Sequence, residues 1–395
     1  MDVKEEQEKG KSKMQYISFY DHELNKDENR AYSPAGRAIT EYVAKVISDA
    51  GIKLQIISPI CTKNRKGVYY KKEYMTPEGF SVVLPFSFGA NNVIKKILKR
   101  IWQILLMYIF IIPLVEKNTT VLVYHSVSLT RGLSVLKKIK KVKIILQVEE
   151  IYADVTNNKK YRIREDRAFN IADGFIFPTK ELERIVNKKE KPYVIVHGEY
   201  LEKKIKEDNK NKSNSINCVY AGTFDENKGG VFRAIEAARY LDGKFILHIL
   251  GFGSEEESQK VKNKIIEIQS LTKCHIVYGG LKKGEEFDKY IQKCQIGLST
   301  QNPEGNYNDT SFPSKVLMYM SNGLDVVSVD LPVLRESEVA EYIEYAYTAD
   351  GIGIAKAIEH LVENGSKDCG KILNVLNKEF TQKLLEMIGE VENEI

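Results

Sequence analysis

The sequence has few of the residues that build metal centres and disulfide frameworks. Its 395 residues include only five cysteines and six histidines. The cysteines stand far apart, without a CxxC pair or a histidine cluster at ligand spacing, so we expect neither a zinc site nor a set of disulfides. Their sparse use favours a reducing, cytoplasmic compartment. The cysteines are Cys61, Cys218, Cys274, Cys294 and Cys369.

The chain also lacks a strong excess of charge of either sign. Its formal net charge is +5 at pH 7 and is spread over lysine-rich stretches. Nucleic-acid binding is therefore not expected as the main activity, whereas an anionic small molecule or an anionic lipid surface suits this charge. Residues 1–13, MDVKEEQEKGKSK, carry both signs and no apolar run. We interpret them as a solvated tail and not as an export signal.

A chain of this length is too long for one ordinary hydrophobic core, which predicts two domains. Hydrophobic residues make up 43% and charged residues 29%, a composition typical of globular proteins. From Met14 onward, short apolar runs rich in β-formers alternate with amphipathic helical stretches. This alternation is typical of parallel sheets covered by helices. The sequence therefore predicts an α/β fold class with two doubly wound domains.

The order of these runs places the domain boundaries. A Lys- and Asn-rich stretch, 201–215, has almost nothing to bury and is predicted to be a linker. We expect one domain over 14–200, a second over 216–370, and a final helix over 371–395 that packs back on the first domain. Since ligands of doubly wound folds bind at the carboxyl ends of strands, the two domains predict a cleft between them. Strands are predicted at 15–19, 53–58, 120–124, 142–148, 174–178, 193–197, 217–221, 244–250, 274–278, 296–299 and 326–329, and a helix at 34–50.

One stretch, 93–115, does not fit a plain α/β domain. Its sequence, VIKKILKRIWQILLMYIFIIPLV, begins with four basic residues and ends in an apolar run interrupted by Gln103 and Pro113. The run has about 15 residues, fewer than the ~20 of a spanning helix, so no transmembrane helix is predicted. Two interpretations stay open. The stretch is either an amphipathic helix lying on anionic lipid at the inner face of the plasma membrane, or a buried helix packed against the first sheet.

The segment 219–230, VYAGTFDENKGG, has the pattern of a strand, a glycine-containing turn and the start of a helix. A phosphate oxygen placed at this helix start would meet backbone N–H groups, the positive end of the helix dipole and the ammonium of Lys228. The pattern therefore predicts a diphosphate site. A solvated lysine at an ordinary helix start is the alternative.

A second segment, 309–328, has the sequence DTSFPSKVLMYMSNGLDVVS. Ser311 and Pro313 suit a helix start, and Gly323 suits a helix end. Lys315 falls in the first helical turn, where the helix dipole disfavours a positive charge. Unless Lys315 is merely a surface residue, this placement indicates an anion close by.

Together, AGTFDENKGG and FPSKVLMYMSNGLDVVS resemble the donor domain of GT-B glycosyltransferases, in particular the family-4 retaining enzymes of bacterial surface-polysaccharide assembly. The resemblance is good over 217–331 and weaker over the first domain. It implies a GT-B fold with two Rossmann-like domains facing across a cleft. It also implies a UDP- or GDP-linked sugar as donor substrate, with no metal and no cofactor.

The resemblance assigns contacts to the donor. Lys228 takes the position of the lysine that neutralises the diphosphate. The backbone of 312–314 corresponds to the segment that binds the distal phosphate and the sugar. The segment 278–281, YGGL, corresponds to the turn that contacts the base. Three positions depart from the family pattern. Thr310 and Met318 stand where the family has two glutamates, the second of which accepts hydrogen bonds from the ribose. Thr223 stands where the family has an arginine, and Lys315 could take over the role of that arginine. The donor-binding positions are Gly222, Thr223, Lys228, Leu281, Phe312, Ser314, Lys315 and Met318.

The first domain offers fewer candidates. Gly36 follows Ser33 and Pro34 in a place where the family has a glycine-rich turn, although these residues also suit an ordinary capped helix. His125 follows a predicted strand, where the family often has a histidine near the donor sugar; a structural role is the alternative. Glu149 and Glu150 also follow a strand and are the best carboxylates for an acceptor hydroxyl, as base or positioning group. A surface loop is their alternative role.

The resemblance implies transfer of a sugar from a nucleotide diphosphate to a hydroxyl of a glycan or a lipid-linked saccharide, in capsule, exopolysaccharide or O-antigen assembly. The departures at Thr310 and Met318 suggest a second possibility, a catalytically silent subunit that binds a partner glycosyltransferase or a glycan. A sugar-nucleotide epimerase of the same fold ranks last, because it needs acidic and histidine groups that we do not find at the donor sugar.

Overall fold

The computed structural model describes residues 13–204, 215–226, 229–305 and 308–393. Two units follow from the contact pattern. One contains the chain up to Val196 together with residues from Phe380 onward, and the other runs from His197 to Glu379. The division falls close to the start of the predicted linker, of which 205–214 lies outside the described residues.

The N-terminal unit is built on an eight-stranded sheet in the order β10-β9-β8-β7-β1-β2-β5-β4. All neighbouring pairs are parallel except β4 with β5. β3 and β6 form a separate antiparallel pair. The strands are β1 Lys13–Ile17, β2 Lys53–Ile57, β3 Val68–Tyr69, β4 Lys72–Met75, β5 Ser81–Leu84, β6 Ser87–Phe88, β7 Thr120–Tyr124, β8 Lys143–Gln147, β9 Gly174–Phe177 and β10 Tyr193–Ile195.

Helices connect these strands and bury their apolar sides against the sheet. The second helix continues past Leu106 through a π-helical turn, Met107–Ile111, and a short turn, Ile112–Leu114. A 3₁₀ helix, Glu23–Glu28, precedes the first helix. The α-helices are α1 Pro34–Asp49, α2 Val93–Leu106, α3 Val127–Lys140, α4 Tyr152–Thr156, α5 Lys159–Ile171 and α6 Lys180–Val186.

The C-terminal unit has a six-stranded sheet in the order β13-β12-β11-β14-β15-β16, with all neighbours parallel. Apolar residues of its strands and covering helices form one buried cluster. Its strands are β11 Ile216–Thr223, β12 Phe245–Phe252, β13 His275–Gly280, β14 Ile296–Ser299, β15 Asp325–Val329 and β16 Ile343–Ala346. Its helices are α7 Gly230–Ala237, α8 Glu255–Gln269, α9 Gly284–Ile291, α10 Ser314–Ser321, α11 Pro332–Arg335, α12 Gly351–Asn364 and the first part of α13 Cys369–Asn393, with 3₁₀ turns at Ala238–Tyr240 and Ala340–Tyr342.

The last part of α13 belongs to the N-terminal unit. The Phe380 ring stacks on Tyr42 of α1, with ring centroids 5.6 Å apart and an interplanar angle of 22°. Further along the helix, Met387 and Val391 are buried beside Gly174 at the start of β9. The end of this helix therefore supplies part of the apolar packing of the N-terminal unit.

The predicted α/β fold class is confirmed, and the predicted strands fall on β1, β2 and β7 to β15. The sequence missed β3 to β6 and β16. The hairpin strand β4 alternates exposed and half-buried residues, and β3 and β6 have two residues each, so these segments lack the apolar runs that mark buried strands. The strand β16 carries Glu344 and Tyr345 in its centre, which hides its pairing with β15.

The stretch 93–115 is partly buried and partly exposed. From Leu106 to Ile112 it is mostly buried in the core, whereas most of α2 is exposed. Among the described residues, the helix Val93–Leu114 is long and apolar enough, by length and composition, to cross a membrane. Only 28% of its most apolar 18-residue segment is buried.

Candidate functional site

The switch point of the C-terminal sheet lies between β11 and β14, where the strand order reverses. Ligands of doubly wound folds bind at the carboxyl ends of the strands beside such a point. β11 ends in Gly222 and Thr223, two of the predicted donor-binding residues. Thr300 follows β14, and its hydroxyl donates a hydrogen bond of 2.6 Å to the carbonyl of Gly230. The end of β14 is thereby tied to the start of α7.

Lys315 reaches this switch point from the first turn of α10. Its Nζ lies 3.0 Å from the hydroxyl oxygen of Tyr220 and 4.2 Å from the centre of that ring. A Cβ atom on residue 222 would lie 2.5 Å from Lys315 Cε and 2.6 Å from Nζ. Glycine at 222 therefore leaves room for the lysine to lie against the end of β11.

A second helix begins on the other side of the same tyrosine. α7 starts at Gly230, whose added Cβ would lie 3.1 Å from the Tyr220 ring. Gly229 before it has φ of 62°, the left-handed region that glycine adopts at little cost. The first residue of α7 and the Lys315 side chain from the first turn of α10 thus both lie against Tyr220. Helix N-termini carry unpaired N–H groups and partial positive charge, so this arrangement suits an anion.

Lys228, the other predicted diphosphate ligand, lies outside the described residues. The geometry of the predicted pair of lysines therefore concerns Lys315 alone. Tyr220 was missed by the sequence analysis, because an aromatic residue inside an apolar strand is ordinarily a core residue. Its only signal in the sequence is its place two residues before Gly222.

Phe312 and Ser314 lie at the start of α10. Ser314 is exposed, whereas Phe312 is buried and stacks on His197 with ring centroids 4.5 Å apart and planes 20° apart. His197 Nε2 lies 2.8 Å from a carboxylate oxygen of Glu338. Sequence reasoning missed both His197 and Glu338, which are separated by 141 positions. The stacked pair fixes the chain just before the helix start at Ser314.

The carboxyl ends of β12 and β13 present exposed apolar side chains. Phe252 is 54% exposed and Leu281 52% exposed. Tyr278 lies between Phe224 and Lys262, with its ring centroid 6.2 Å from that of Phe224 and 5.2 Å from Lys262 Nζ. The segment predicted as a turn, 278–281, instead continues β13 through Gly280, so only Leu281 lies beyond the strand. These exposed rings offer a surface on which a planar base could stack.

Two positions carry neither of the carboxylates that the family pattern places there. Met318 is half-buried on α10, one turn after Lys315, and Thr310 is half-buried before the helix. A thioether is at most a weak acceptor and cannot replace a carboxylate that binds two hydroxyl groups. Met318 therefore cannot supply the ribose contact that the family pattern places at this position.

The N-terminal sheet has its own switch point, between β1 and β7. A cavity of about 520 Å³ opens there, lined by Gly36, Ser33, Tyr124 and Tyr152 among others. The Ser33 side chain caps α1 by accepting a hydrogen bond of 3.0 Å from the Gly36 N–H. The capped-helix interpretation of this segment is therefore confirmed, and the same residues line the cavity.

His125 does not lie in that cavity. Its side chain is fully buried between Tyr152 and Phe169, with ring centroids 5.4 and 5.2 Å away. Nε2 lies 3.4 Å from Glu165, whose carboxylate accepts the N–H groups of Tyr152 and Ala153, each at 2.8 Å. Burial lowers the pKa of His125 to about 4. The ring is therefore neutral at neutral pH, and its position favours a role in holding the loop after β8.

Glu149 and Glu150 follow β8 and are half-buried. The Gln147 amide donates a hydrogen bond of 2.6 Å to Glu149. Burial, with a smaller contribution from the charge of Glu150, raises the pKa of Glu149 to about 7. After burial, the charge of Glu149 is the next largest cause that raises the pKa of Tyr124, a residue that lines the cavity. Glu149 is therefore a carboxyl group that can accept or release a proton near neutral pH.

Solved structures of low sequence identity share this architecture over nearly the whole chain. The E. coli trehalose-6-phosphate protein bound with UDP-2-fluoro glucose has a TM-score of 0.63 at 13% identity, covering 96% of this chain and 99% of its own. Anabaena HepE in complex with UDP and glucose has a TM-score of 0.62 at 9% identity, and the match covers 97% of this chain and 100% of HepE. A trehalose-phosphate synthase (UDP-forming) from Burkholderia xenovorans in complex with glucose-6-phosphate has a TM-score of 0.64 at 10% identity. The match covers 96% of this chain and 100% of that protein. The chain has the GT-B fold.

A comparison with protein families adds sequence similarity to this fold similarity for the C-terminal unit. Residues 202–372 match the family model described as Glycosyl transferases group 1. This match contains β11, Lys315 and both helix beginnings at Tyr220. No curated protein matched the chain significantly. The C-terminal unit is therefore similar to glycosyl transferases group 1 over most of its length.

Proposed function

We propose that this chain is a glycosyltransferase that moves a sugar from a nucleotide-diphosphate donor to a hydroxyl group. The observation that carries the proposal is the position of Lys315, in the first turn of α10, against Gly222 and Tyr220, beside the start of α7. A diphosphate at that point would meet one ammonium and the N–H groups of two helix termini. The proposal is supported by the match of this same region to glycosyl transferases group 1.

The donor is a UDP- or GDP-linked sugar that acts as substrate, without a cofactor or metal. Structures similar in fold contain UDP-2-fluoro glucose, or UDP and glucose. The exposed rings of Phe252 and Tyr278 are suited to stack on the base. Lys228 supplies a second charge to the diphosphate, as the family resemblance implies.

The acceptor is a glycan or lipid-linked saccharide of capsule, exopolysaccharide or O-antigen assembly in the cytoplasm, and the anomeric configuration of the donor is retained. Its hydroxyl enters the cavity of the N-terminal unit that Tyr124 lines, and Glu149 is the base or positioning group. The charge that develops on the departing diphosphate is stabilised by Lys315 and the helix termini, which are oriented before the reaction begins. A carboxyl group with a pKa near neutrality is well matched to move a proton at physiological pH.

The test measures UDP and GDP binding by calorimetry and transfer or hydrolysis with a panel of sugar nucleotides. Lys315→Ala should weaken nucleotide binding by about 10- to 100-fold, because it removes a charge-assisted contact to the diphosphate. Lys356→Ala is the matched control, since Lys356 is an exposed lysine on α12 of the same unit. Equal nucleotide affinity in Lys315→Ala and wild type would contradict the proposed diphosphate site.

A catalytically silent subunit that binds a partner glycosyltransferase or a glycan is the second candidate, favoured by Thr310 and Met318. Met318→Glu separates the two. In an enzyme, the added carboxylate should leave turnover intact or raise it by supplying a ribose acceptor. A silent subunit should bind neither UDP nor GDP, with or without the substitution, and should show no turnover with any donor.

A further inference from the structure

The helix α2 leaves a continuous apolar surface exposed. Its residues of this kind are between 42% and 71% exposed, the range set by Leu105 and Val93. At about 100° per residue, those on α2 fall within an arc of about 140° of the helix. The stripe continues along the π-helical turn. We call this set the apolar stripe: Val93, Ile94, Ile97, Leu98, Ile101, Ile104, Leu105, Tyr108 and Ile109.

The opposite side of the same helix is fixed to the N-terminal unit. Leu106, Phe110 and Ile111 are buried in its core cluster. The Trp102 ring packs edge-on against Phe86, and its Nε1 donates a hydrogen bond of 2.9 Å to the Phe86 carbonyl. The C-terminal part of the helix is thus anchored in the protein, while the apolar stripe stays exposed.

The charge around the stripe has one sign. No aspartate or glutamate occurs in the sequence between Glu78 and Glu116. Lys95 and Lys96 are exposed at the start of α2, and Arg100 is exposed one turn later. By helical geometry, Lys95 and Arg100 fall beyond the two edges of the stripe. The apolar surface is therefore bordered on both sides by positive charge.

A cavity of about 470 Å³ adjoins the stripe in the same unit. Arg100, Arg131 and Arg164 line it, together with Ile104 and Tyr108 of the stripe. Among the described residues, none of these three arginines lies within 4.0 Å of a carboxylate oxygen. Arginine side chains bind phosphate groups well, because the guanidinium donates several parallel hydrogen bonds.

We propose that the apolar stripe docks this protein on the surface of an anionic phospholipid bilayer. The helix lies in the plane of the interface, with the stripe among the acyl chains and its basic borders at the headgroups. The arginine-lined cavity receives a headgroup phosphate. The proposal goes beyond the proposed transferase function, since it needs neither donor nor acceptor.

Two observations favour a bilayer surface over the other occupants of such a stripe. The stripe is mainly aliphatic and bordered only by basic residues, which complements anionic lipid, whereas a second copy of the chain would bring the same positive charges together. Spanning the bilayer would require the buried side to leave the core, where Leu106 and Ile111 are fully covered. The in-plane arrangement keeps both sides of the helix in suitable surroundings.

The experiment uses the full chain, without substrates, in co-sedimentation with vesicles. One set contains phosphatidylcholine alone and the other phosphatidylcholine mixed with phosphatidylglycerol. Ile97→Gln with Ile101→Gln weakens the stripe, and Lys95→Glu with Lys96→Glu reverses its border charge. Matched controls are Ile266→Gln, an isoleucine 70% exposed on α8, and Lys356→Glu on α12.

Wild type and controls should bind the anionic vesicles, and each double variant should lose about tenfold or more in partitioning. Added salt should weaken binding, since the basic border is exposed. Circular dichroism melting should show that the variants remain folded. Equal binding to both vesicle types, unchanged binding of the double variants, resistance to alkaline extraction, or a dimer that the isoleucine variant dissociates would each overturn the proposal.

Discussion

The ammonium nitrogen of Lys315 lies 3.0 Å from the hydroxyl oxygen of Tyr220, across 95 positions of the sequence. The same hydroxyl donates a hydrogen bond of 3.1 Å to the Thr223 carbonyl. Tyr220 thus connects the lysine of α10 with the end of β11. This hydroxyl group helps to orient Lys315, and removal of the hydroxyl tests how much it contributes.

Tyr220→Phe should raise the KM for the sugar nucleotide by about 3- to 10-fold, because Lys315 loses one of the contacts that position it. The ring is retained, so unfolding should change by about 1 kcal/mol or less. Steady-state kinetics with donor varied and thermal unfolding measure the two effects. Tyr319→Phe is the control, since its hydroxyl accepts the Ala221 N–H at 2.8 Å and does not contact Lys315. That control should lose stability by about 1 to 3 kcal/mol while KM is kept.

Gly222→Ala should displace the lysine without disturbing the fold. The new Cβ would lie 2.5 Å from Lys315 Cε, and a flexible side chain can move away from it. Nucleotide affinity should fall by about tenfold, the loss of one oriented charge contact. Calorimetry with UDP and GDP gives the affinity. Gly243→Ala, where the nearest atom to an added Cβ is 3.6 Å away, should leave it unchanged; equal effects of both substitutions would disprove the steric explanation.

Glu149→Gln should abolish the pH dependence of transfer near neutrality. Burial raises the pKa of Glu149 from 4.5 to about 7, so the wild-type rate should rise with pH around that value if the carboxylate acts as base. Loss of a general base lowers kcat by about 10²- to 10⁴-fold. Stopped assays across the pH range, at saturating donor, measure this profile. A full rate with an unchanged profile in the variant would remove Glu149 from the reaction.

The same carboxyl group makes a prediction for stability. Between pH 4.5 and about 7, the folded state keeps a proton that the unfolded chain has released. Stability from this group is therefore lost as pH rises through that window, by about 1 to 3 kcal/mol. Glu149→Gln should be more stable than wild type above pH 7 and closer to it at pH 4.5. Urea unfolding at several pH values measures the difference in the free energy of unfolding between variant and wild type. This difference should not increase as the pH falls.

His125 predicts the opposite trend. Its pKa is lowered by burial from 6.5 to about 4, so between these values the unfolded chain binds a proton that the folded chain excludes. Stability is therefore lost as pH falls through this window, by about 2 to 3 kcal/mol. His125→Gln will also lose ring packing, so the slope of stability with pH is the useful quantity. The slope should become shallower in the variant, and an unchanged slope would contradict the assignment.

Much of the fold was predictable, because buried parallel strands leave long apolar runs in the sequence. The strands β7 and β14 were predicted at their observed bounds. Short paired segments such as β3 and β16 were not, since their pairing depends on neighbours that are distant in the chain. The alternation of apolar strands and amphipathic helices predicted the α/β fold class, but the hairpin and edge strands could be identified only from the tertiary structure.

The candidate site was predictable only where a motif carried it. Lys315 was singled out because a lysine in a first helical turn is unusual, and Gly222 because it falls in a glycine-containing turn after a predicted strand. Tyr220 and His197 were missed, since their partners Lys315 and Glu338 lie 95 and 141 positions away. His125 was expected at the edge of the sheet, but Tyr152 and Phe169 cover it. Such coverage by later segments has no local signal.

The stacking of Phe380 on Tyr42 also bears on biosynthesis. The ribosome makes the eight-stranded sheet first, yet the helix segment that covers Tyr42 and Gly174 emerges only after the whole C-terminal unit. Until then, the nascent N-terminal sheet keeps an uncovered apolar region while the C-terminal unit already has all of its strands. The N-terminal unit can therefore complete its apolar packing only after the end of the last helix has been synthesised.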